Sequence, residues 1–262
     1  MAAGSPYPFT AHNIALPDGS QTHPERGSLI EDEGIVQAPL RTLRMLFPPE
    51  VRAETTVVDL GCLEGGYTVA FARAGFQALG IEARESNFAN CQFVAEKLGL
   101  ANLCFVQDDV RNIGEYGPFD VVFCSGLLYH MDTPSAYLEQ LAANARKALI
   151  INTHYITGFP VEIPGLRFSG TEPVTHEGNL GIWFNEYPAN AAPAAIEANR
   201  WAAWGNPGSF WMHKDYLLQR LRDVGFGIIY EQYDFLDNVI TDKFIKEYSR
   251  SLFVAIKETP GD

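Results

Sequence analysis

The sequence predicts a doubly wound α/β fold with a mostly parallel sheet, an antiparallel strand near the C-terminus and a long insertion after the fifth strand. Apolar runs of strand length alternate with helix-length segments between about residues 55 and 153, as in parallel strands joined by crossover helices. The runs are continuously apolar, which is typical of strands buried on both faces. The alternation then stops over residues 154–212, which are rich in Gly, Pro and aromatic residues and contain all four tryptophans.

Local signals predict the elements in order. An irregular, Pro-rich arm over residues 1–30 precedes a helix over 31–47, which Pro48 and Pro49 end. Strands are predicted over 55–60, 76–82, 102–109, 119–126 and 148–153, and helices over 66–74, 86–98 with Ser86 as N-cap, and 135–147. After the insertion, a helix over 214–224 precedes strands over 226–233 and 251–258.

These elements predict a simple domain organisation. We expect an N-terminal arm and helix over residues 1–52, followed by one domain over residues 53–262. The insertion over residues 154–212 lies within that domain, and a long segment of this kind is typically a lid or a substrate-binding loop.

Composition disfavours nucleic acid and membranes as partners. The net charge is -13 and the pI about 4.9, without a cluster of basic residues, so a phosphate backbone would be repelled and a small-molecule substrate is favoured. The four cysteines are widely spaced, which indicates free thiols in a reducing cytoplasm. No apolar run approaches the roughly 18 residues of a membrane span, and the N-terminus lacks a signal-peptide pattern. We expect a cytoplasmic protein and leave a homodimer open.

A glycine-containing turn directly follows the first strand and predicts a ligand site. Gly61 and Gly65 allow a ligand to approach the backbone at a helix N-terminus. Asp59 lies at the carboxyl edge of the sheet, where open α/β sheets bind ligands. A dinucleotide site would need glycine where Leu63 stands, and Glu64 would repel a phosphate. The turn therefore favours a cofactor without phosphate over a nicotinamide.

The segment D-L-G-C-L-E-G-G-Y resembles the first motif of the class I S-adenosylmethionine-dependent methyltransferases, usually D-x-G-x-G-x-G. Later motifs follow in order over residues 55–153. The resemblance implies a Rossmann-like fold, S-adenosylmethionine as cofactor and methyl transfer as activity. It implies that Asp59 and Gly61 lie near the methionine part, Glu82 binds the ribose hydroxyls and Asp109 meets the adenine amino group. The other predicted cofactor residues are Cys62, Gly65, Val110 and Ser125. Because Leu63 replaces the middle glycine, we expect a wider turn.

Methyl transfer to a hydroxyl needs a group that takes up the proton, and histidine suits this role near neutral pH. His130 follows the fourth strand and His154 the fifth, where the family places the transfer point. Either is a candidate general base, with His154 favoured and a structural role as the alternative. These histidines could hold a cation together with Asp132 and Glu186, but no ligand spacing demands one, and no metal is predicted. His12 and His23, in the arm, are expected to be solvated.

The Trp-rich insertion is expected to cover the active site, since aromatic walls exclude water and bind flat or apolar groups. An ordinary satellite core under a long loop is the alternative. The predicted substrate contacts are Tyr129, Trp183 and Glu186.

The favoured function is a small-molecule methyltransferase, with O-methylation preferred. Two alternatives stay open. The block G-L-L-Y-H and a looser match over residues 206–226 resemble bacterial enzymes that modify the wobble uridine of tRNA. A non-catalytic partner protein that retains the cofactor fold is the other.

Overall fold

The computed structural model describes residues 4–159, 167–233 and 249–258. Residues 160–166 of the predicted insertion lie outside this range. The strands are β1 (Thr56–Leu60), β2 (Gln77–Glu82), β3 (Leu103–Gln107), β4 (Phe119–Ser125), β5 (Ala145–His154), β6 (Val174–His176), β7 (Asn179–Asn185), β8 (Gly208–Met212), β9 (Ile228–Gln232) and β10 (Arg250–Ile256). The helices are α1 (Gly34–Leu46), α2 (Gly66–Arg73), α3 (Glu85–Leu98), α4 (Pro134–Asn144), α5 (Pro193–Ala198) and α6 (Lys214–Asp223).

The predicted main sheet is confirmed. Seven strands lie in the order β3-β2-β1-β4-β5-β10-β9. β1 pairs in parallel with β2 and β4, and β2 pairs in parallel with β3. β10 runs antiparallel to β5 over its full length. The sheet is therefore mostly parallel with an antiparallel strand near the C-terminus, as the alternating pattern predicts.

The chain divides into two compact units. The first extends to Phe123 and includes Gln232, and its buried aromatic residues include Phe71 and Phe76. The second begins at Cys124 and contains the insertion and β10, with Leu138 and Phe253 fully buried. Each unit has its own apolar core.

Register brings polar residues together at one edge of the first unit. Asp59 is opposite Gly80, and Leu60 is opposite Ile81. Because the strands are parallel, the turn that follows β1 and Glu82 at the end of β2 reach the same edge. The glycine turn is therefore fixed next to the end of the neighbouring strand.

The insertion is more regular than expected. β6, β7 and β8 form a three-stranded antiparallel sheet, and α5 lies between β7 and β8 in the chain. The sequence pattern predicts no strand or helix over these residues. Apolar and polar residues do not alternate clearly in this part of the sequence, because residues on both faces of β7 and β8 are apolar.

Two predicted boundaries are wrong. α4 ends at Asn144 rather than near Lys147, because the following residues join β5 and the carbonyl of Lys147 accepts the N–H of Lys257 at 2.9 Å. Strand pairing overrides the local helical pattern there. α3 begins at Glu85 after Arg84, so Ser86 lies inside the helix and is not its N-cap.

His12 is buried rather than solvated, because it packs against the turn after β1.

Within the ranges that the structure covers, none of the helices has the length and apolar character needed to cross a bilayer.

Candidate active site

The turn after β1 is bound to the end of β2. The N–H groups of Gly61 and Cys62 donate to the carbonyl of Ile81, at 2.9 and 3.2 Å. Gly61 has a φ of 66°, which glycine adopts without strain. Leu63 has a φ of 50°, a left-handed conformation that costs an L-residue roughly 1–2 kcal/mol. Leu63 thus takes a backbone conformation that glycine would ordinarily supply.

Two buried carboxyl groups stand at the carboxyl ends of β1 and β2. Asp59 accepts a hydrogen bond from the hydroxyl of Thr68 at 2.7 Å. Glu82 accepts the backbone N–H groups of Leu63 and Arg84, both at 2.9 Å. Burial raises the pKa of Asp59 and of Glu82 to about 7, because desolvation disfavours the charged form. Both groups therefore change charge near neutral pH.

Glu82 keeps hydrogen-bonding capacity for a ligand. A carboxylate offers about four lone-pair sites, and the backbone N–H groups of Leu63 and Arg84 occupy two of them. Asn87 is fully buried, and its amide lies close enough to Glu82 to favour the ionised carboxylate but makes no other hydrogen bond among the described residues. A buried amide normally has a partner. Glu82 and Asn87 together therefore fit a group with several hydroxyls, such as the ribose of an adenosyl cofactor.

The end of β3 lies against the end of β2. The carbonyl of Glu82 accepts the N–H of Asp108 at 3.2 Å. Asp109 accepts the backbone N–H of Arg111 at 2.9 Å and pairs with its guanidinium at 3.1 Å. Val110 is buried at the start of the same turn. Asp109 and Val110 therefore adjoin the carboxyl edge, and the carboxylate of Asp109 is already engaged.

The remaining predicted cofactor residues have different surroundings. Cys62 is buried with its Sγ 3.9 Å from that of Cys91, and burial raises the pKa of both thiols, which keeps them protonated. A Cβ at Gly65 would lie 2.6 Å from the ring of Phe105, so a side chain at this position would clash with that ring. Ser125 is the last residue of β4 and belongs to the second unit.

The second unit contains an acid–imidazole pair whose carboxylate is buried. Nδ1 of His130 lies 2.8 Å from Oε1 of Glu186, and their side chains are 14% and 1% exposed. Glu186 also accepts the hydroxyl of Ser209 at 2.6 Å and the N–H of Ala203 at 3.1 Å. These contacts hold the carboxylate in place, so the imidazole of His130 is oriented by a rigid acceptor.

His154 has a different environment. Its Nδ1 lies 3.1 Å from the carbonyl of Ser249, and its ring stacks on Trp211 with centroids 4.7 Å apart. Burial lowers its pKa to about 4, and the nearby guanidinium of Arg250 acts in the same direction. His154 is therefore neutral at neutral pH.

Tyr129 joins the two histidines. Its ring centroid is 4.2 Å from that of His130 and 4.7 Å from that of His154. The guanidinium of Arg250 lies 5.6 Å from the centroid of the Tyr129 ring, within cation–π range. The structure thus brings Tyr129, His130, His154 and Glu186 into one cluster of contacts, which we call the aromatic–histidine cluster.

Trp183 lies elsewhere in the insertion. Its ring contacts those of His176 and Phe210, with centroids 4.8 and 5.4 Å apart. Trp211, rather than Trp183, is the tryptophan that contacts the aromatic–histidine cluster.

Among the described residues, no group of three or more His, Cys, Asp or Glu side chains could hold a metal ion.

Known proteins resemble this chain in sequence and in fold. The family model described as a methyltransferase domain matches residues 52–171. The N-terminal domain of EvdMO1, solved with SAH bound, has a TM-score of 0.62 and 25% identity, covering 87% of this chain and 82% of that chain. Residues 52–171 thus carry a methyltransferase domain. The expected Rossmann-like methyltransferase fold is thereby confirmed.

Other relatives of the methyltransferase domain cover less or are more distant. The tRNA U34 carboxymethyltransferase of Campylobacter hominis is 29% identical over 39% of this chain and 37% of that protein. That of Alteromonas mediterranea is 31% identical over 39% of this chain and 33% of that protein. The chain thus spans well under half the length of these curated relatives. Magnesium protoporphyrin IX methyltransferase from Synechocystis, at 17% identity and a TM-score of 0.50, shows the fold alone.

Sequence reasoning missed residues in each of the two units. Ser209 and Arg250 carry no local signal, because each reaches the aromatic–histidine cluster from a strand distant in the chain. Asn87 looks like an ordinary helical residue until its burial beside Glu82 is known. Helix periodicity together with the polar character of Asn87 is the one signal that could have found it.

Proposed function

We propose that this protein transfers a methyl group from S-adenosylmethionine to a hydroxyl of a small acceptor, with His130 as general base and Glu186 as its positioning residue. The observation that carries the proposal is the pair in which Nδ1 of His130 lies 2.8 Å from the buried carboxylate of Glu186.

The first unit holds the residues proposed to bind the cofactor. Glu82 and Asn87 have hydrogen-bonding capacity suited to ribose, and Asp59 is proposed to face the methionine part across the glycine turn. Asp109 and Val110 are proposed to border the adenine. The cofactor supplies a methyl group already activated on a sulfonium, so the protein's own tasks are orientation and proton removal.

The geometry of His130 suits a general base. With Nδ1–H held by Glu186, the lone pair of the neutral ring is on Nε2, which accepts the acceptor's hydroxyl proton as the new C–O bond forms. The imidazolium that results is stabilised by the Glu186 carboxylate. Carboxylate–imidazole pairs of this kind orient the ring and fix its tautomer.

His154 is less suited to that task. Its lowered pKa of about 4 makes it a weak base, since general bases are most effective when their pKa is near the working pH. We propose that His154 has a positioning role, stacked on Trp211 and in contact with Tyr129. This reverses the preference that sequence reasoning gives to His154.

A small hydroxylated acceptor is supported by two observations. The net charge of -13 disfavours a polyanionic substrate. The N-terminal domain of EvdMO1, which matches most of both chains, has also been crystallised in the presence of SAH and D-fucose. We favour a sugar-like acceptor that packs one face of its ring on Tyr129.

A tRNA substrate is the second candidate. Several curated relatives are tRNA U34 carboxymethyltransferases. Their match covers a minor part of each protein, so we rank this candidate second. It predicts salt-sensitive retention of tRNA, because phosphate contacts release counterions.

Methyl-transfer assays test the proposal. The purified protein is incubated with S-adenosylmethionine carrying a labelled methyl group and a panel of sugars and phenols, with unmodified tRNA as a separate arm. We expect labelled O-methyl product with the wild type, and a loss of about 10²–10⁴-fold in His130→Gln. His23→Gln, in the N-terminal arm, is the matched control and keeps full turnover. Undiminished turnover in His130→Gln would remove this residue from the mechanism. If the labelled methyl group appeared only in tRNA, the substrate would be tRNA and not a small acceptor.

A third outcome would favour a non-catalytic partner protein. In that case the wild type binds S-adenosylhomocysteine, but no methyl group reaches any acceptor in a cell extract. Mass spectrometry of the labelled extract distinguishes this outcome from a narrow acceptor specificity.

A further inference from the structure

Glu64 holds the N-terminal arm. Its side chain is 1% exposed and accepts the backbone N–H groups of Thr10, Ala11 and His12 at 2.7, 3.0 and 2.8 Å. The Thr10 hydroxyl adds a fourth contact at 3.1 Å. Glu64 lies in the turn after β1, so the arm is bound directly to the predicted cofactor loop.

The arm in turn binds the helix that follows the loop. Nδ1 of His12 accepts the N–H of Gly66, the first residue of α2, at 2.9 Å. The first N–H groups of a helix lack partners within the helix, and His12 supplies one. A Cβ at Gly66 would lie 2.8 Å from the His12 ring, so this contact requires glycine. His12 must be neutral at Nδ1 to accept, and burial lowers its pKa to about 4.

The residues before Thr10 lie along α3. Oδ1 of Asn90 accepts the hydroxyl of Ser5 at 3.2 Å and the N–H of Tyr7 at 3.3 Å. Phe9 is buried with its ring 6.3 Å from that of Phe93. We call residues 5–12 the N-terminal strap. It is anchored on α3, on the glycine turn and on the first residue of α2.

Glu64, which binds the strap, is adjacent in the chain to the residue that contacts Glu82, the side chain proposed to bind ribose. Glu64 follows Leu63, whose N–H donates to Glu82 at 2.9 Å. Leu63 has the unfavourable φ of 50°, and its carbonyl accepts the thiol of Cys91 at 3.0 Å. A turn held in a costly conformation needs surrounding contacts to persist. The strap's contacts with Glu64 are among them.

We propose that the N-terminal strap and the cofactor bind the methyltransferase domain cooperatively, with Glu64 as the positioning residue that couples them. A docked strap holds the turn in the shape in which Leu63 contacts Glu82, and bound cofactor stabilises that same shape. Coupling between two binding events is reciprocal, so the cofactor also strengthens docking of the strap. This inference rests on the proposed function only in taking the turn and Glu82 as the cofactor site.

Hydrogen exchange and calorimetry test the coupling. The full chain is studied as wild type, Glu64→Gln and Asn90→Ala, with Glu96→Gln as the control for loss of one carboxylate on an exposed face of α3. Exchange of the amides of residues 9–13 is followed with and without S-adenosylhomocysteine, whose dissociation constant is measured separately.

In the wild type and in Glu96→Gln, we expect S-adenosylhomocysteine to slow exchange in the strap. In Glu64→Gln, strap exchange rises and affinity falls about tenfold, within the usual range of coupling between sites. Asn90→Ala loosens the strap without touching the glycine turn and should weaken binding in the same direction. It keeps the test valid if Glu64→Gln does not fold.

Two results would overturn the inference. One is a variant whose strap exchanges faster while its affinity for S-adenosylhomocysteine stays within twofold of the wild type. The other is unchanged strap exchange when S-adenosylhomocysteine saturates the wild type. A wild type that does not bind S-adenosylhomocysteine at all would instead refute the proposed function, so the two failures are distinguishable.

Discussion

His130 and Glu186 form a hydrogen-bonded pair 2.8 Å apart although 56 positions separate them in the chain. Glu186 is almost completely buried, and Ser209 and Ala203 also donate to its carboxylate. A buried carboxylate with several donors is a rigid partner, so it can define both the orientation and the tautomer of the imidazole. The catalytic proposal depends on this relationship.

Replacing Glu186 by Gln should lower kcat about 10²–10⁴-fold while leaving S-adenosylhomocysteine affinity unchanged. Glutamine cannot stabilise an imidazolium and does not fix the tautomer of His130. Steady-state kinetics with calorimetry measure both quantities. Glu172→Gln, an exposed carboxylate of the same insertion, is the control. A variant with full turnover would show that Glu186 only supports the fold.

Cofactor affinity should rise as the pH increases through about 7. Burial raises the pKa of Glu82 to about 7, and the ionised form accepts two ribose hydroxyls better than the protonated form. The same shift has the opposite effect on folding. The contribution of Glu82 to stability is complete below its usual pKa of 4.5 and is lost as the pH rises through 7.

Calorimetry with S-adenosylhomocysteine between pH 5.5 and 8.5 checks the effect on affinity. Glu82→Gln should bind more weakly and lose the pH dependence, whereas Glu54→Gln, on the exposed segment before β1, should keep it. Equal slopes in wild type and Glu82→Gln would assign the titration to another group, with Asp59 the first candidate.

His154 should remain neutral down to about pH 5. Its pKa is lowered to about 4, chiefly by burial and then by Arg250. Replacing Arg250 with Met removes a nearby positive charge and should raise the pKa of His154, although burial keeps it below 6.5. NMR titration of the histidine ring signals measures the shift. A wild-type His154 signal that titrates near 6.5 would contradict the burial that the structure describes.

The positive φ of Leu63 predicts an unusual mutational pattern. Leu63→Gly should change the free energy of unfolding little, because relief of roughly 1–2 kcal/mol of strain is offset by the backbone entropy of glycine, about 0.5–1 kcal/mol. Leu63→Val should be destabilised by at least about 1 kcal/mol, since β-branched residues tolerate positive φ poorly. Urea unfolding compares them. Greater stability of Leu63→Val than of Leu63→Gly would be incompatible with the observed turn.

Much of the fold could be predicted because its signals are local. Continuous apolar runs identified each parallel strand, and each strand's last residues identified Asp59 and Glu82 at the carboxyl edge. The insertion was harder, because β6, β7 and β8 are stabilised by pairing with one another rather than by a regular pattern in the sequence. The end of α4 was misplaced for the same reason, since β10 recruits the following residues into the sheet.

The sequence by itself determined the fold class, the glycine turn and the set of histidines from which a base could be chosen. The tertiary structure decided which histidine has a buried carboxylate partner. It also buried His12, which was expected to be solvated, and used His12 and Glu64 to attach the N-terminal arm. The physical reason is that burial and hydrogen-bond partners set what a titratable side chain can do. Both come from segments far apart in the chain, and no local pattern records them.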